Sequence, residues 1–183
     1  MELPAGELLL RPWRADDVDA VHAAAQDPQL RTWNSVGDGS REEVVALLAR
    51  RREHPPDGDT FSFAVVRAAD GELLGAVSLH SIDRAQGDAE VGYWTVPAAR
   101  GRRVAPRAVD TVCRWAFGPL SIERVQLFHA VENEASGRVA ARAGFAVEGR
   151  LRRSFRYGDG VKHDELLWSR LADDPPPQLS SRS

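Results

Sequence analysis

Residues 93–108, with the sequence YWTVPAARGRRVAPRA, are the part of this chain best suited to chemistry. Their pattern predicts a strand, a short basic turn and the start of a helix. The first N–H groups of a helix have no partner inside it, and with the positive end of the helix dipole they bind anions such as phosphates. Gly101 permits close approach of the backbone, while Arg100, Arg102 and Arg103 add charge. The alternative is a solvated arginine-rich loop.

Glu90 is the carboxylate best placed for proton transfer. It shares one face of the predicted strand with Gly92, Trp94 and Val96, because side chains alternate along a strand. A glutamate among apolar strand residues requires a reason, since burial of an unpaired carboxylate is costly. We predict a general base or a substrate anchor. The alternatives are an exposed strand end or a pair with an arginine.

Further candidates lie on strands and at a strand–helix junction. Asn133 suits the N-cap of one helix, and Ser40-Arg-Glu-Glu43 is a capping-box pattern that predicts the start of another. His80 and His129 lie on predicted central strands, where either faces a substrate cleft or packs in the core. Trp33 lies in a segment, residues 32–40, that we expect to overhang the acceptor site, where it either stacks on a substrate or packs within the loop.

Length and composition predict one domain over residues 1–172 and a disordered Pro- and Ser-rich tail over 173–183. The net charge of −3 argues against nucleic acid as a partner, although Arg100–Arg107 offers that alternative. Cys113 is the only cysteine, which is typical of a reducing compartment, and its place in the periodic run of residues 109–117 predicts a buried core thiol rather than a nucleophile. No metal-binding spacing, signal segment or membrane-spanning run is present in the sequence, so we expect a cytoplasmic, metal-free protein without a membrane partner.

Hydrophobic periodicity predicts a mixed α/β domain. The strands joined by short links are expected to be antiparallel, and the two strands flanking the helix at 105–117 are expected to be parallel. Strands are predicted at 7–13, 60–67, 72–82, 89–96, 122–131, 145–157 and 162–171, and helices at 16–25, after Pro28, and at 40–53, 105–117 and 136–143.

The order of these pieces resembles the GNAT superfamily of acetyl-coenzyme A-dependent N-acetyltransferases, in its ribosomal-protein N-terminal acetyltransferase (Rim-like) branch. The resemblance runs from Leu8 to Leu171. It implies an acyl-CoA N-acyltransferase fold with a mostly antiparallel central sheet of about seven strands flanked by helices. The matching segments are 9–13 with Asp16 and Asp17, 89–97, 100–105, 133–140, 144–145, 148–152 and the hairpin around Gly158-Asp-Gly160.

The resemblance implies acetyl-CoA as co-substrate and assigns residues to it. Asn133 is expected to contact it, and Ser136 is expected to lie near the leaving sulfur. The backbone of the central strand is expected to hold the pantetheine arm and the acetyl carbonyl, and the basic loop the pyrophosphate. The residues so assigned are Trp94, Thr95 and Val96 on the strand, and Arg100, Gly101, Arg102, Arg103, Val104 and Ala105 in the loop.

Two residues depart from the family pattern. Arg103 stands where members usually have the inner glycine of the loop, so its side chain either crowds the pyrophosphate or binds it. Ala140 stands where many members have a tyrosine general acid. Ser136 or water must then protonate the leaving thiolate, or the thiolate leaves without a proton.

The reaction implied is acetyl transfer to a primary amine, of a protein N-terminus or a small molecule, by direct attack in a ternary complex. Substrate contacts are expected from Trp33, His80 and Glu90, and a cationic amine would suit Glu90 and Asp38. The alternative is a non-catalytic acyl-CoA binding or sensing module. Trp168 on a late strand is a candidate residue either for a homodimer edge or for the core.

Overall fold

The computed structural model describes residues 1–34, 39–52 and 58–179. Two short 3-10 turns accompany the regular elements, at Ala15–Asp17 and Pro97–Ala99. The helices are α1 (Val18–Ala24), α2 (Pro28–Trp33), α3 (Arg41–Arg52), α4 (Val104–Phe117) and α5 (Glu134–Arg142). The strands are β1 (Leu3–Ala5), β2 (Leu8–Arg11), β3 (Phe61–Arg67), β4 (Leu73–Asp83), β5 (Asp88–Thr95), β6 (Arg124–Ala130), β7 (Ala146–Arg156) and β8 (Lys162–Leu171).

The strands form one sheet in the order β1-β2-β3-β4-β5-β6-β8-β7. Only the β5–β6 pair is parallel among the described strands, with α4 as its crossover, which confirms the prediction. The sheet has eight strands rather than about seven. The predicted first strand at 7–13 is shorter, Leu8–Arg11, and ends before Pro12, which has no backbone N–H for the ladder. Before it, Gly6 adopts a φ of +68° and turns the extra strand β1 back against β2.

β5 and β6 separate after a short paired stretch. Their register runs only from Asp88 opposite Arg124 to Glu90 opposite Gln126. β5 then continues to Thr95 and β6 to Ala130, and no pairing joins these later residues. The backbone of β5 beyond Glu90 is therefore free of a strand neighbour on its β6 side, which opens the sheet at this point.

The two faces of the sheet carry separate apolar cores. On one face, α4 packs through Val109 and Val112 onto strand residues that include Val91. On the other face, Trp94 stacks against Trp13, with ring centroids 6.4 Å apart and planes at 25°. Each fully buried aliphatic side chain contributes about 1.5–3 kcal/mol. Since side chains alternate along β5, this strand is held from both sides, which fixes the position of Glu90.

Side-chain caps begin the helices where the sequence predicts them. Asn133 Oδ1 accepts from the Ser136 N–H at 3.2 Å and starts α5. Ser40 Oγ accepts from the Glu43 N–H at 3.2 Å at the start of α3. Both caps confirm the sequence analysis. Such caps contribute about 1 kcal/mol each, and the Asn133 cap also sets the orientation of Ser136.

A buried ion pair ties α4 to the sheet. The Arg170 Nη1–H donates to Asp110 Oδ1 at 2.8 Å and to the Ala143 carbonyl at 3.0 Å.

Cys113 is fully buried beside this ion pair, and burial raises the pKa of its thiol to about 12. The thiol therefore stays protonated and packs as an apolar side chain, as the sequence indicates.

The end of the described chain runs along the surface without a helix or strand. Asp174 accepts a hydrogen bond from the Leu171 N–H at 2.8 Å, and Pro177 lies beside Gly144. The disordered tail at 173–183 stays a prediction. In the described residues no helix is long and apolar enough to cross a membrane.

Candidate active site

A cavity of about 900 Å³ lies where β5 and β6 separate. It extends from the first residues of α4, past the opened strands, to α2 and α3. Val96 and Arg102, two of the predicted cofactor contacts, are not part of its described wall, and their assignment stays a prediction. The predicted residues on the wall are Trp33, His80, Glu90, Trp94, Thr95, Arg100, Gly101, Arg103, Val104, Ala105, Asn133 and Ser136.

The basic loop places a helix N-terminus at one end of this cavity. Gly101 has a φ of +76°, and open space surrounds the position of a side chain there. Arg103 precedes α4 in the left-handed region, at φ 59° and ψ 21°. Glycine adopts this conformation without strain, whereas another residue loses about 1 kcal/mol. The backbone thus keeps the geometry of a glycine although the residue is an arginine.

Arg100 is tied to α2 rather than free in the loop. Its Nη2–H donates to Asp27 Oδ1 at 2.6 Å, and its Nη1–H donates to Gln29 Oε1 at 2.9 Å. Asp27 also caps α2 by accepting from the Leu30 N–H at 3.0 Å. The Arg100 hydrogen bond is the main cause that lowers the pKa of Asp27. Arg100 therefore fixes the loop against α2, and part of its charge is neutralised.

Two arginines of α5 line the same end of the cavity, and the sequence analysis missed them. Arg138 and Arg142 lie one helical turn apart, so they share a face. Among the described residues, the Arg138 side chain forms an ion pair only with Glu134, an exposed contact at 3.4 Å. Arg138 and Arg142 are four residues apart in a predicted helix, so the sequence alone could have placed them on one helix face. With the N-terminus of α4, they provide charge for several phosphate oxygens.

Glu90 and His80 form a cross-strand pair on the cavity wall. They lie directly opposite each other in the β4–β5 register, with His80 Nδ1 at 4.0 Å from Glu90 Oε2. Both side chains are about one-third exposed, at 33% and 34%. Gly92 keeps the space beside them open, because a side chain there would meet the His80 ring. The structure thus joins two predicted substrate contacts.

Ser136 contacts Tyr93, a residue for which the sequence predicted no role. Tyr93 Oη lies 2.5 Å from Ser136 Oγ, and it donates to the Ser136 carbonyl at 3.2 Å. Burial raises the pKa of Tyr93, so its hydroxyl stays protonated. Ala140 is fully buried in the core. The Ser136 member of this hydroxyl pair lies one helical turn before Ala140 on α5, the position at which the resemblance noted in the sequence implies a tyrosine general acid in many members.

A second carboxylate faces the cavity from β8. Glu165 is only 7% exposed. Its oxygens accept from Ser154 Oγ at 2.6 Å and from Tyr157 Oη at 2.8 Å. Burial, followed by the neighbouring Glu165, raises the pKa of Tyr157. The sequence offers little signal for Glu165, because three charged or polar residues, 162–164, precede it in the same strand and make a further carboxylate unremarkable.

His129 is a core residue and not a free base. Its Nδ1 lies 2.7 Å from the Ala130 carbonyl, and its Nε2 accepts from the Trp168 Nε1–H at 2.9 Å. This arrangement places the single ring proton on Nδ1. Burial lowers the pKa of His129, so the ring is neutral. Both interpretations left open by the sequence apply in part, because His129 is buried yet lies on the cavity wall. Trp168 stacks on the His129 ring with centroids 6.1 Å apart.

Trp33 packs in an aromatic cluster at the cavity mouth. Its ring contacts Tyr157 and His163 edge to face, each with centroids 5.4 Å apart. The Gly158 N–H donates to the Thr32 carbonyl at 2.9 Å, which joins the β7–β8 turn to α2. Contacts with other aromatic rings therefore account for the position of Trp33, although its ring also lines the cavity. Asp38, the other predicted acidic contact, lies outside the described residues.

The comparisons with known proteins decide the family. Residues 7–146 match the model of the acetyltransferase (GNAT) domain. The chain belongs to the GNAT acetyltransferase family. YjcK of Bacillus subtilis, named as a probable N-acetyltransferase, is 32% identical over 138 residues, which cover 75% of this chain and 74% of YjcK. The predicted family and its acetyl-CoA-dependent acyl-transfer activity are thereby confirmed.

Two further relatives resemble the chain. YdaF of Bacillus subtilis, whose name places it provisionally among the ribosomal N-acetyltransferases, is 37% identical over 102 residues, covering 56% of this chain but only 55% of YdaF. The structure of Mycobacterium smegmatis RimJ with a CoA disulfide is 26% identical, has a TM-score of 0.82, and matches 94% of this chain and 87% of RimJ. The predicted mixed α/β fold is confirmed.

The cavity fits the co-substrate that this family uses. One end has the helix N-terminus and arginines for phosphates, and the opened strands next to it have an unpaired backbone for an amide-bearing arm. In the described chain no group of three or more His, Cys, Asp or Glu side chains is arranged to hold a metal ion. A metal-free site stays a prediction.

Proposed function

We propose that this enzyme moves the acetyl group of acetyl-CoA to a primary amine, of a protein N-terminus or a small molecule, in a ternary complex. The observation that carries the proposal is the separation of β5 from β6. It places the start of α4 and the Glu90–His80 pair on the walls of one cavity. A donor and an acceptor bound from opposite ends meet between them.

The anion-binding end orients the donor. The loop at Gly101 and Arg103 and the first N–H groups of α4 bind the pyrophosphate, with Arg138 and Arg142 beside them. The backbone at Thr95 holds the pantetheine arm. Acetyl-CoA, when bound, supplies a thioester whose carbonyl carbon is the electrophile. Backbone N–H groups of β5 beyond Glu90 lie where they can stabilise developing charge on the carbonyl oxygen.

Glu90 accepts the proton of the attacking amine, directly or through water. Its carboxylate is partly exposed to the cavity and faces His80 across the strands. Glu165 is a weaker candidate, since Ser154 and Tyr157 already donate to its two oxygens. Removal of a positioned base slows such reactions by about 10²–10⁴-fold. We therefore assign the base to Glu90.

Ser136 is the proton donor for the leaving sulfur. Tyr93 holds its hydroxyl at 2.5 Å, and the Asn133 cap fixes the start of its helix. Ser136 gives its proton to the departing sulfur and regains one from solvent water, while the Tyr93 hydroxyl stays protonated and holds Ser136 in place. Thiols have a pKa of about 8.5, so a thiolate is a tolerable leaving group. A slower route in which the sulfur leaves without a proton therefore stays open.

The proposal also covers the acceptor class, the oligomeric state and the cellular location of the enzyme. The name of YdaF as a ribosomal N-acetyltransferase supports a ribosomal protein amine as one acceptor class. The edge strand β7 exposes apolar side chains, including Val147 at 54% and Phe155 at 49%, which supports a homodimer through this edge. Trp168 is not its contact in this proposal, since it packs against His129. A cytoplasmic location remains a prediction.

Incubation with acetyl-CoA and a panel of amines tests the proposal. The panel contains N-terminal peptides, amino acids, polyamines and amino sugars, and the release of free thiol is followed. Thiol release that depends on one amine class, with matching acetylated product by mass spectrometry, is the expected result. Acetyl-CoA binding without turnover on any amine would favour a non-catalytic binding module instead.

A further inference from the structure

Arg51 is a charged residue on the cavity wall that the proposed chemistry does not use. It lies in the last turn of α3, three residues after Leu48 and seven after Val44, both of which are fully buried. This spacing places Arg51 on the helix face that packs on the sheet. The other members of that face are apolar. A partly buried guanidinium there requires an anion.

That anion is not supplied by the described protein. Within residues 1–34, 39–52 and 58–179, no ion pair or hydrogen bond involves the Arg51 side chain. Burial lowers the pKa of Arg51, and repulsion from Arg50 adds to the shift. Inward-facing arginines elsewhere are paired, as in Arg11 with Asp17, Arg124 with Glu148, and Arg170 with Asp110.

A second unsatisfied donor lies on the same wall. Trp94 is 7% exposed, and its Nε1–H is buried without a hydrogen-bond acceptor in the described structure. Trp13, which stacks on it, donates its own N–H to Ser62 Oγ at 2.9 Å. Ser78 adds a hydroxyl with only a long contact, 3.4 Å, to the Gly92 carbonyl. A buried donor without a partner costs about 1–3 kcal/mol.

We propose that Arg51, Ser78 and Trp94 bind an oxyanion carried by the acceptor molecule at a distance from its amine. The inference rests on the proposed function, because Glu90 marks the position of the amine. A guanidinium with neighbouring N–H and O–H donors is the arrangement that binds carboxylate or phosphate oxygens. The acceptor is thus an amine at one end and an anion at the other.

The strand register sets the separation of the two groups. Glu90 lies two residues from Gly92, which is opposite Ser78, and four residues from Trp94. At about 3.3 Å per residue, this span is about 7–13 Å. The carboxylate of a free α-amino acid lies too close to its own amine to reach both ends. An extended peptide with an acidic third residue covers the distance, at about 3.3–3.6 Å per residue.

Matched acceptors and variants test the site. The peptide amides Ala-Ala-Glu and Ala-Ala-Gln differ in one charge, and aminohexyl phosphate against aminohexanol tests a phosphate source. The wild-type enzyme should prefer the anionic member of one pair by about 10–100-fold in kcat/KM. Arg51→Gln should bring that ratio close to one. Arg50→Gln, an exposed neighbour, should keep it.

Two results would overturn the inference: equal turnover of both members of each pair, or a preference that persists in Arg51→Gln. Calorimetric binding of the same compounds in the presence of CoA separates this inference from the proposed function. If no amine is acetylated, the proposed function fails. Tighter binding of the anionic compound by wild type, lost in Arg51→Gln, still supports the anion site, and equal binding rejects it.

Discussion

Tyr93 Oη and Ser136 Oγ lie 2.5 Å apart, although 43 residues separate them in the sequence. The contact joins β5 to the first turn of α5 across the cavity. Burial keeps Tyr93 protonated, since it raises the pKa of that hydroxyl. Two hydroxyls at this distance share a proton along one path, so we treat them as a unit that donates to the leaving group.

Substitution of either hydroxyl should slow turnover. Ser136→Ala removes the donor, and we expect kcat to fall about 10²-fold, at the lower end for an acid catalyst. Tyr93→Phe should lower kcat less, because Ser136 remains. The double variant should cost no more than Ser136→Ala alone, since the residues act together. Unchanged kcat in all three would mean that the thiolate leaves without a proton.

Arg103 should act on donor binding and not on the chemical step. Arg103→Ala removes a charged contact at the pyrophosphate, and we expect the KM for acetyl-CoA to rise about 10–100-fold with kcat unchanged. Arg103→Gly should lose less, because glycine adopts the observed φ of 59° without strain. Arg102→Ala should raise KM less than Arg103→Ala, since Arg102 lies outside the described wall. Equal KM values in wild type and Arg103→Ala would place Arg103 in solvent.

Stability should depend on pH through His163. Its ring contacts Asp159 at 2.8 Å and Glu132 at 3.1 Å, and the Asp159 hydrogen bond is the main cause that raises the pKa of His163. A raised folded pKa means that the stabilisation is complete below the ordinary value of about 6.5 and is lost as pH rises through the folded value.

His163→Gln checks this dependence. The melting temperature of wild type should exceed that of the variant below pH ~6.5, and the difference should shrink as pH increases. A difference that is constant with pH would show that His163 contributes by packing alone, through its edge contacts with Trp33 and Tyr157.

The buried Arg170–Asp110 pair should be essential for stability. Arg170 is 3% exposed, so Asp110→Asn leaves a buried guanidinium without its counter-charge. We expect a loss of about 3–5 kcal/mol in the free energy of unfolding, measured with urea. The control is Asp19→Asn, which breaks the exposed pair with Arg41 and should cost less than about 1 kcal/mol. Similar losses in both would contradict this assignment.

Strands and helix caps were predicted well from the sequence, because residues close together in the chain determine them. Alternating side chains located β5 and β6, and polar residues before apolar runs located the caps at Ser40 and Asn133. The parallel β5–β6 pair followed from the length of its connection. The extra strand was missed, since Leu3–Ala5 is too short for alternation to be visible.

Contacts between distant parts of the chain were beyond the sequence. No local pattern connects Tyr93 to Ser136, or Arg100 to Asp27, because packing of the whole sheet brings them together. Other signals were present but unused. The arginine at 51 continues the apolar stripe of α3, and the arginines at 138 and 142 follow Ser136 at helical spacing.

The most direct test of the account is the turnover of Glu90→Gln with acetyl-CoA and the best acceptor of the amine panel. The substitution keeps the shape of the side chain but removes its basicity. We predict that kcat falls about 10²–10⁴-fold while the affinity for acetyl-CoA, measured by calorimetry, is unchanged. A rise in acceptor KM alone would make Glu90 an anchor for a cationic amine. Unchanged kcat and KM would contradict the account and leave Glu90 a structural residue.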